Sequence, residues 1–145
     1  MTAIITIKNG KKVVSNGMHE EKILLEDINL TINEGDFITV LGGNGAGKST
    51  LFNTIAGTLE LSQGTISFKD QLITKYPEEK RAAFLSRVFQ DPKMGTAPRM
   101  TVAENLLLAQ NRGKKRKFRL RNLKNQKEQF FKLCQEVGNG LEQHL

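Results

Sequence analysis

A single cysteine, Cys134, stands in the 145-residue sequence, so no disulfide can close within the chain. A reducing compartment is its natural setting, and Cys134 reads as a small core hydrophobe on a helix. No apolar stretch is long enough to cross a bilayer; Leu106-Leu107-Leu108-Ala109 is among the longest. No basic residue precedes the apolar residues of MTAIITIKNG, which excludes a secretory signal there. His19 and His144 are the only histidines, and they lack the spacing of metal ligands. The first 36 residues contain no Phe, Tyr or Trp, so that segment offers no ring for stacking.

Acidic residues are missing from one place in particular. The run RGKKRKFRLRNLKNQK, residues 112–127, holds nine Lys or Arg and no Asp or Glu. Without those nine, 13 basic residues face 15 acidic ones, so the net charge of +7 belongs to one segment. A solvated surface explains such a run, as do contacts with anionic lipid or nucleic acid. Phe118 is the only aromatic residue within it, which gives base stacking little support.

At 38% hydrophobic and 26% charged, the composition is that of a globular domain of ordinary size. AIITIK and LLEDINLTI have strand-like alternation and β-branched content, and TISFKD reads as another short strand. Phe37–Leu41, FITVL, is apolar but for Thr39, the pattern of a strand covered on both faces in a parallel sheet. Leu51, Phe52, Ile55 and Ala56 share one helical face. Pro77-Glu78-Glu79 carries the marks of a helix start. RVFQDP reads as a strand running into a loop, and Thr101 to Glu104 as a capping box. A last helix is expected over 123–137, with Phe130, Phe131, Leu133, Cys134 and Val137 inward. The order implies an α/β core followed by a helical part.

The stretch LGGNGAGKST carries the chemistry. Gly42-x-x-x-x-Gly47-Lys48-Ser49 lies between an apolar strand and a helix, the setting of a phosphate-binding loop. Glycines let the main chain turn sharply and approach a ligand, and consecutive N–H groups make an anion nest. The helix start adds unpaired amides and the positive end of its dipole. Lys48 can reach the β- and γ-phosphates, and the Ser49 hydroxyl can ligate Mg²⁺. Guanine-binding proteins would add an N-K-x-D, which does not occur.

LGGNGAGKST, LFNTIAGTLELSQGTISF and VFQDP, in that order, resemble the ATP-binding subunit of ABC transporters. The resemblance covers essentially the whole chain. It implies an α/β P-loop NTPase of the ABC type, with N-terminal antiparallel strands and an incomplete helical subdomain. The expected division is a nucleotide-binding core over 1–91 and the start of the helical subdomain over 92–145. By position, Gly42, Gly43, Asn44, Gly45, Ala46, Gly47, Lys48, Ser49 and Thr50 would wrap the phosphates of ATP. Gln90 would sit at Mg²⁺ or the attacking water and link nucleotide state to the membrane subunit. Lys48 and Gln90 are then the expected catalytic residues, and Ser49 and Gln90 the expected metal-side ones. GTAPRMTVAENLLLA looks like an importer subgroup that works with a solute-binding protein. The implied partners are a permease and a second ATPase subunit paired head to tail, at the cytoplasmic face of the membrane.

Two departures qualify the resemblance. The family stacks adenine on an aromatic that would fall near Val13 or Val14; Val14 can only pack against the base. Losing such a stack costs roughly 0.5–1.5 kcal/mol, so binding is expected to be weaker or less base-selective. The second departure is that no Walker B acid, signature motif or switch histidine follows the glycine loop. ILLED at 23–27 precedes the loop, and LSQG at 61–64 lacks the second glycine of the signature. A truncated product, or a portion of a longer subunit, is the expected origin. The alternatives are a nucleotide-binding module without turnover and a nucleic-acid-linked ABC ATPase.

Overall fold

The computed structural model describes residues 2–15, 17, 20–113, 126–138 and 140–144. They form two compact units, Met1–Leu85 and Ser86–Leu145. His19 and most of the basic run, residues 114–125, lie outside the described residues, as do the side chain of His144 and the first residues of the expected last helix.

The first unit is built on a four-stranded sheet. β1 (Ala3–Ser15), β2 (Glu21–Asn33), β3 (Gln63–Phe68) and β4 (Gln71–Leu72) lie in the order β2-β1-β3-β4. Each neighbouring pair is antiparallel, as the family resemblance implied for the N-terminal strands. Helix α1 (Lys48–Ala56) follows the glycine loop, and the single-turn α2 (Glu78–Arg81) follows β4. Pro77 is the N-cap of α2, one residue earlier than the composition suggested. Ile7, Ile66 and Ile73 form the core, with Leu51 and Ile55 of α1 and a stacked pair, Phe68 on Phe84 with centroids 4.2 Å apart, packed around them.

Two expected strands do not form. Residues 36–43 are irregular chain outside any ladder, with Phe37 96% and Leu41 86% exposed. Residues 85–89 are likewise not a strand, and Val88 is 96% exposed. A strand needs partners for its N–H and C=O groups, and one that is apolar on both sides needs cover on both faces. Among the described residues, every strand pair is antiparallel and none involves these segments. The inner face of α1 is also rotated from expectation. Thr54 and Ala56 are buried and Phe52 is half exposed. Burial of Thr54 is tolerable because its hydroxyl donates to the Leu51 carbonyl at 2.8 Å.

The second unit is helical: α3 (Pro92–Gly95), α4 (Val102–Gln110), α5 (Lys127–Val137) and a 3₁₀ turn (Leu141–His144). Its core joins Ala103 and Leu107 of α4 to Phe130 of α5. Phe130 and Cys134 are buried one turn apart, whereas Phe131, Leu133 and Val137 are exposed, so α5 buries a narrower stripe than expected. The capping box is present: Thr101 N–H donates to Glu104 Oε2 at 2.8 Å, and Glu104 N–H to Thr101 Oγ1 at 3.3 Å. Thr101→Ala removes one of these two bonds. It is expected to cost the helical unit about 1 kcal/mol, read as a lower urea midpoint with an unchanged slope.

Candidate functional site

The loop between residue 41 and α1 bends on glycines where other residues would be strained. Gly45 has φ +80° and Gly47 φ +85°, both in the left-handed region. At Gly47 a second constraint acts. An added Cβ would lie 2.7 Å from the Leu24 carbonyl oxygen and 3.1 Å from Leu25 Cδ2. Residue 47 is where the helix start rests on β2, and only glycine fits there. At Gly43 and Gly45, by contrast, a Cβ would meet nothing within 4 Å, so there is open space beside these two, whereas at Gly42 it would lie 3.0 Å from the Ala46 Cβ across the bend.

Helix α1 begins without a cap. Gly47 supplies no side-chain acceptor, and the first turn holds no acid. Among the described residues, no acceptor is bonded to the main-chain N–H of Gly45, Gly47, Lys48, Ser49 or Thr50. The first such bond of the helix runs from Leu51 N–H to the Gly47 carbonyl at 2.8 Å. A helix start left in this way carries donors and positive potential together, which is what an anion requires. The Lys48 ammonium donates to the Gly42 and Gly43 carbonyls at 2.6 and 2.7 Å. It therefore bridges back over the loop mouth and adds a full positive charge beside the free amides. An oxyanion fits this set: amide donors, one ammonium and open space beside small residues. Ser49 is exposed next to them and Thr50 partly so.

The remaining expected residues fall elsewhere. Val14 is half-buried on β1, opposite Lys22 of β2. Lys22 is two residues along that strand from Leu24, which touches the loop. Gln90 is exposed and belongs to the second unit, just before Asp91, the N-cap of α3. The first unit thus brings together residues 42–50, with Val14 on the neighbouring strand pair. Sequence reasoning missed Arg81, which is 1% exposed and bonded to the far end of α1.

An α/β unit in which a glycine loop opens onto an uncapped helix start defines the P-loop class of phosphate-binding proteins. The particular family follows from comparison: a family model described as "ABC transporter" matches residues 25–144, and the chain belongs to that family. The tyrosine transport ATP-binding protein of Clostridioides difficile (strain R20291) is 45% identical over 111 residues, 77% of this chain and 44% of that protein. The spermidine/putrescine import ATP-binding protein PotA of Haemophilus ducreyi (strain 35000HP / ATCC 700724) is 41% identical over 86 residues, 59% of this chain and 22% of that one. Among solved structures, the ADP conformation of MJ1267, an ATP-binding cassette of an ABC transporter, matches with a TM-score of 0.66 at 27% identity. That match covers 93% of this chain and 56% of the cassette. The fold is that of an ABC-type P-loop NTPase, and the chain spans less than half the length of these two sequence relatives.

Proposed function

We propose that this chain is the nucleotide-binding portion of an ABC importer's ATP-binding subunit, and that its own activity is to bind ATP·Mg²⁺. The observation that carries the reading is the run of free amides from Gly47 to Thr50 beside the Lys48 ammonium. Gly42 to Gly47 and Lys48 hold the phosphates in this proposal. Ser49 and Gln90 stand on the metal side, and Val14 packs against the base. The core is the nucleotide-binding unit and the helical unit the start of the subdomain that follows it in the family. Import is proposed because the relatives are named for tyrosine transport and for spermidine/putrescine import. In the complete subunit, binding and hydrolysis of ATP would drive transport through a permease at the cytoplasmic face of the membrane, with a second ATPase subunit paired head to tail and a solute-binding protein upstream. Hydrolysis needs a carboxylate to share the metal and a group to orient water. The motifs that supply them in the family do not follow the loop, so binding without turnover is proposed for these 145 residues.

The test is a titration of the chain with a fluorescent ATP analogue in Mg²⁺, competed by unlabelled ATP and GTP. Saturable binding is expected. ATP and GTP should compete within about tenfold of each other, since the stack that would select adenine is worth only about 0.5–1.5 kcal/mol and no ring occupies its place. Absence of saturable binding by the folded chain would sink the proposal. A preference for ATP much beyond that range would overturn the role given to Val14.

A further inference from the structure

Arg81 is the most buried charged side chain among the described residues, and it does not form an ion pair. Its guanidinium donates to five main-chain carbonyls drawn from separate segments. Nη1 reaches Thr54 at 2.7 Å and Ile55 at 2.8 Å. Nη2 reaches Ile73 at 2.8 Å and Thr74 at 2.9 Å, and Nε reaches Tyr76 at 2.8 Å. A guanidinium has five N–H donors in a rigid plane, and here each has an acceptor. Burial pushes its pKa down, with the charge of Glu60 opposing; the bonds are what keep a desolvated cation tolerable.

The carbonyls of Thr54 and Ile55 belong to the last turn of α1. A helix leaves its final carbonyls without intrahelical partners. The amides of Gly57, Thr58 and Leu59 do not serve them, because all three donate to the Asn53 carbonyl. Arg81 supplies the missing donors and sets a positive charge at the negative end of the helix dipole. Gly57 makes the space: a Cβ there would lie 2.9 Å from Arg81 Nε and 2.9 Å from the Tyr76 carbonyl oxygen. The nine residues of α1 span roughly 13 Å at 1.5 Å each. A rod that short transmits the placement of one end to the other.

We infer that Arg81 is a positioning residue for the phosphate loop: by pinning the C-terminal end of α1 to the segment after β4, it fixes where the helix's free N-terminal amides stand. The inference rests on the phosphate-cradle reading above. It reaches beyond packing because a residue that only adds stability would leave the affinity of the folded molecules unchanged.

The experiment measures the Kd for MgATP of the full chain, its Arg81→Lys and its Arg81→Ala variants, at a temperature where circular dichroism shows each folded. Lysine keeps the charge but has three donors and no planar fork. Both variants should bind on the order of tenfold more weakly, given how steeply function falls with sub-ångström misplacement. Ethylguanidinium should restore Arg81→Ala toward the wild-type Kd and leave the wild type unmoved. A second measurement needs no variant: in the wild type, exchange of the Arg81 Nε–H proton should slow on saturation with MgATP, because coupling between the two ends of α1 is reciprocal. Folded variants with the wild-type Kd, or an Arg81 proton whose exchange ignores MgATP, would overturn the inference while leaving the cradle intact. A wild-type chain that binds no MgATP, and does no better than Lys48→Ala, removes the cradle and this inference with it.

Discussion

Lys48→Ala is expected to weaken MgATP binding by on the order of 100-fold while leaving the fold in place. The two halves of that expectation have separate causes. On the folding side, the ammonium meets only the Gly42 and Gly43 carbonyls, in an exposed setting. Exposed polar contacts of this kind contribute about 1 kcal/mol or less, so the thermal midpoint should move by only a few degrees. On the binding side, Lys48 is the one formal positive charge of the glycine loop, next to amides that supply only partial charge. Hydrogen bonds between ionised partners are worth about 1.5–3 kcal/mol, and 3 kcal/mol is roughly a 150-fold change in Kd. Lys48→Arg should not recover the loss, because a broad planar fork does not reproduce a compact ammonium on a flexible four-carbon stem in a narrow bend. The measurement is isothermal titration of wild type and both variants with MgATP, beside a thermal melt of each. Equal affinity in wild type and alanine variant would remove the phosphate role from this loop.

The loop was readable in advance because its determinants are local. Six residues without bulky side chains, one lysine and one hydroxyl mark the bend, and the chemistry proposed for it, without help from the rest of the chain. The Thr101–Glu104 box was readable for the same reason, since its partners lie three residues apart. Phe37–Leu41 shows where that kind of reading stops. Five residues, apolar but for Thr39, describe the neighbours a strand should have, not the strand itself, and among the described residues those neighbours are not there. Phe52 and Thr54 show a smaller failure: hydrophobicity chose the phenylalanine for the inner face, but the threonine could enter because its hydroxyl bonds within the helix. Arg81 had no legible signal. In PEEKRAAF it reads as one more charge on a solvated turn, and its acceptors come from residues 54, 55, 73, 74 and 76, which only the fold brings together.

Gly47→Ala should do what Lys48→Ala does not, and lose fold and binding together. The φ of +85° at this position costs an L-residue about 1–2 kcal/mol before any contact is considered. The new methyl would then sit 2.7 Å from the Leu24 carbonyl oxygen, closer than a carbon can approach, and 3.1 Å from Leu25, which is itself buried. Neither neighbour yields easily, since Leu24 and Leu25 lie within β2 and Leu25 is in register with Lys12 of β1. The helix start must therefore lift from the strand, carrying the amides of Lys48, Ser49 and Thr50 with it. Strain and overlap together should reduce stability by about 3–4 kcal/mol, a large part of the 5–15 kcal/mol typical of a domain. The thermal midpoint is expected to fall by about 10–20 °C, and MgATP binding should be undetectable even where the chain remains folded. Gly43→Ala separates this effect from the mere presence of a methyl in the loop. Its φ is not positive and its Cβ would meet nothing within 4 Å, so its melting should stay within about 0.5 kcal/mol of wild type. If Gly47→Ala melted with the wild type, the rest of the helix start on β2 would not be what holds the amides in place, and the link drawn here between strand packing and phosphate binding would be wrong.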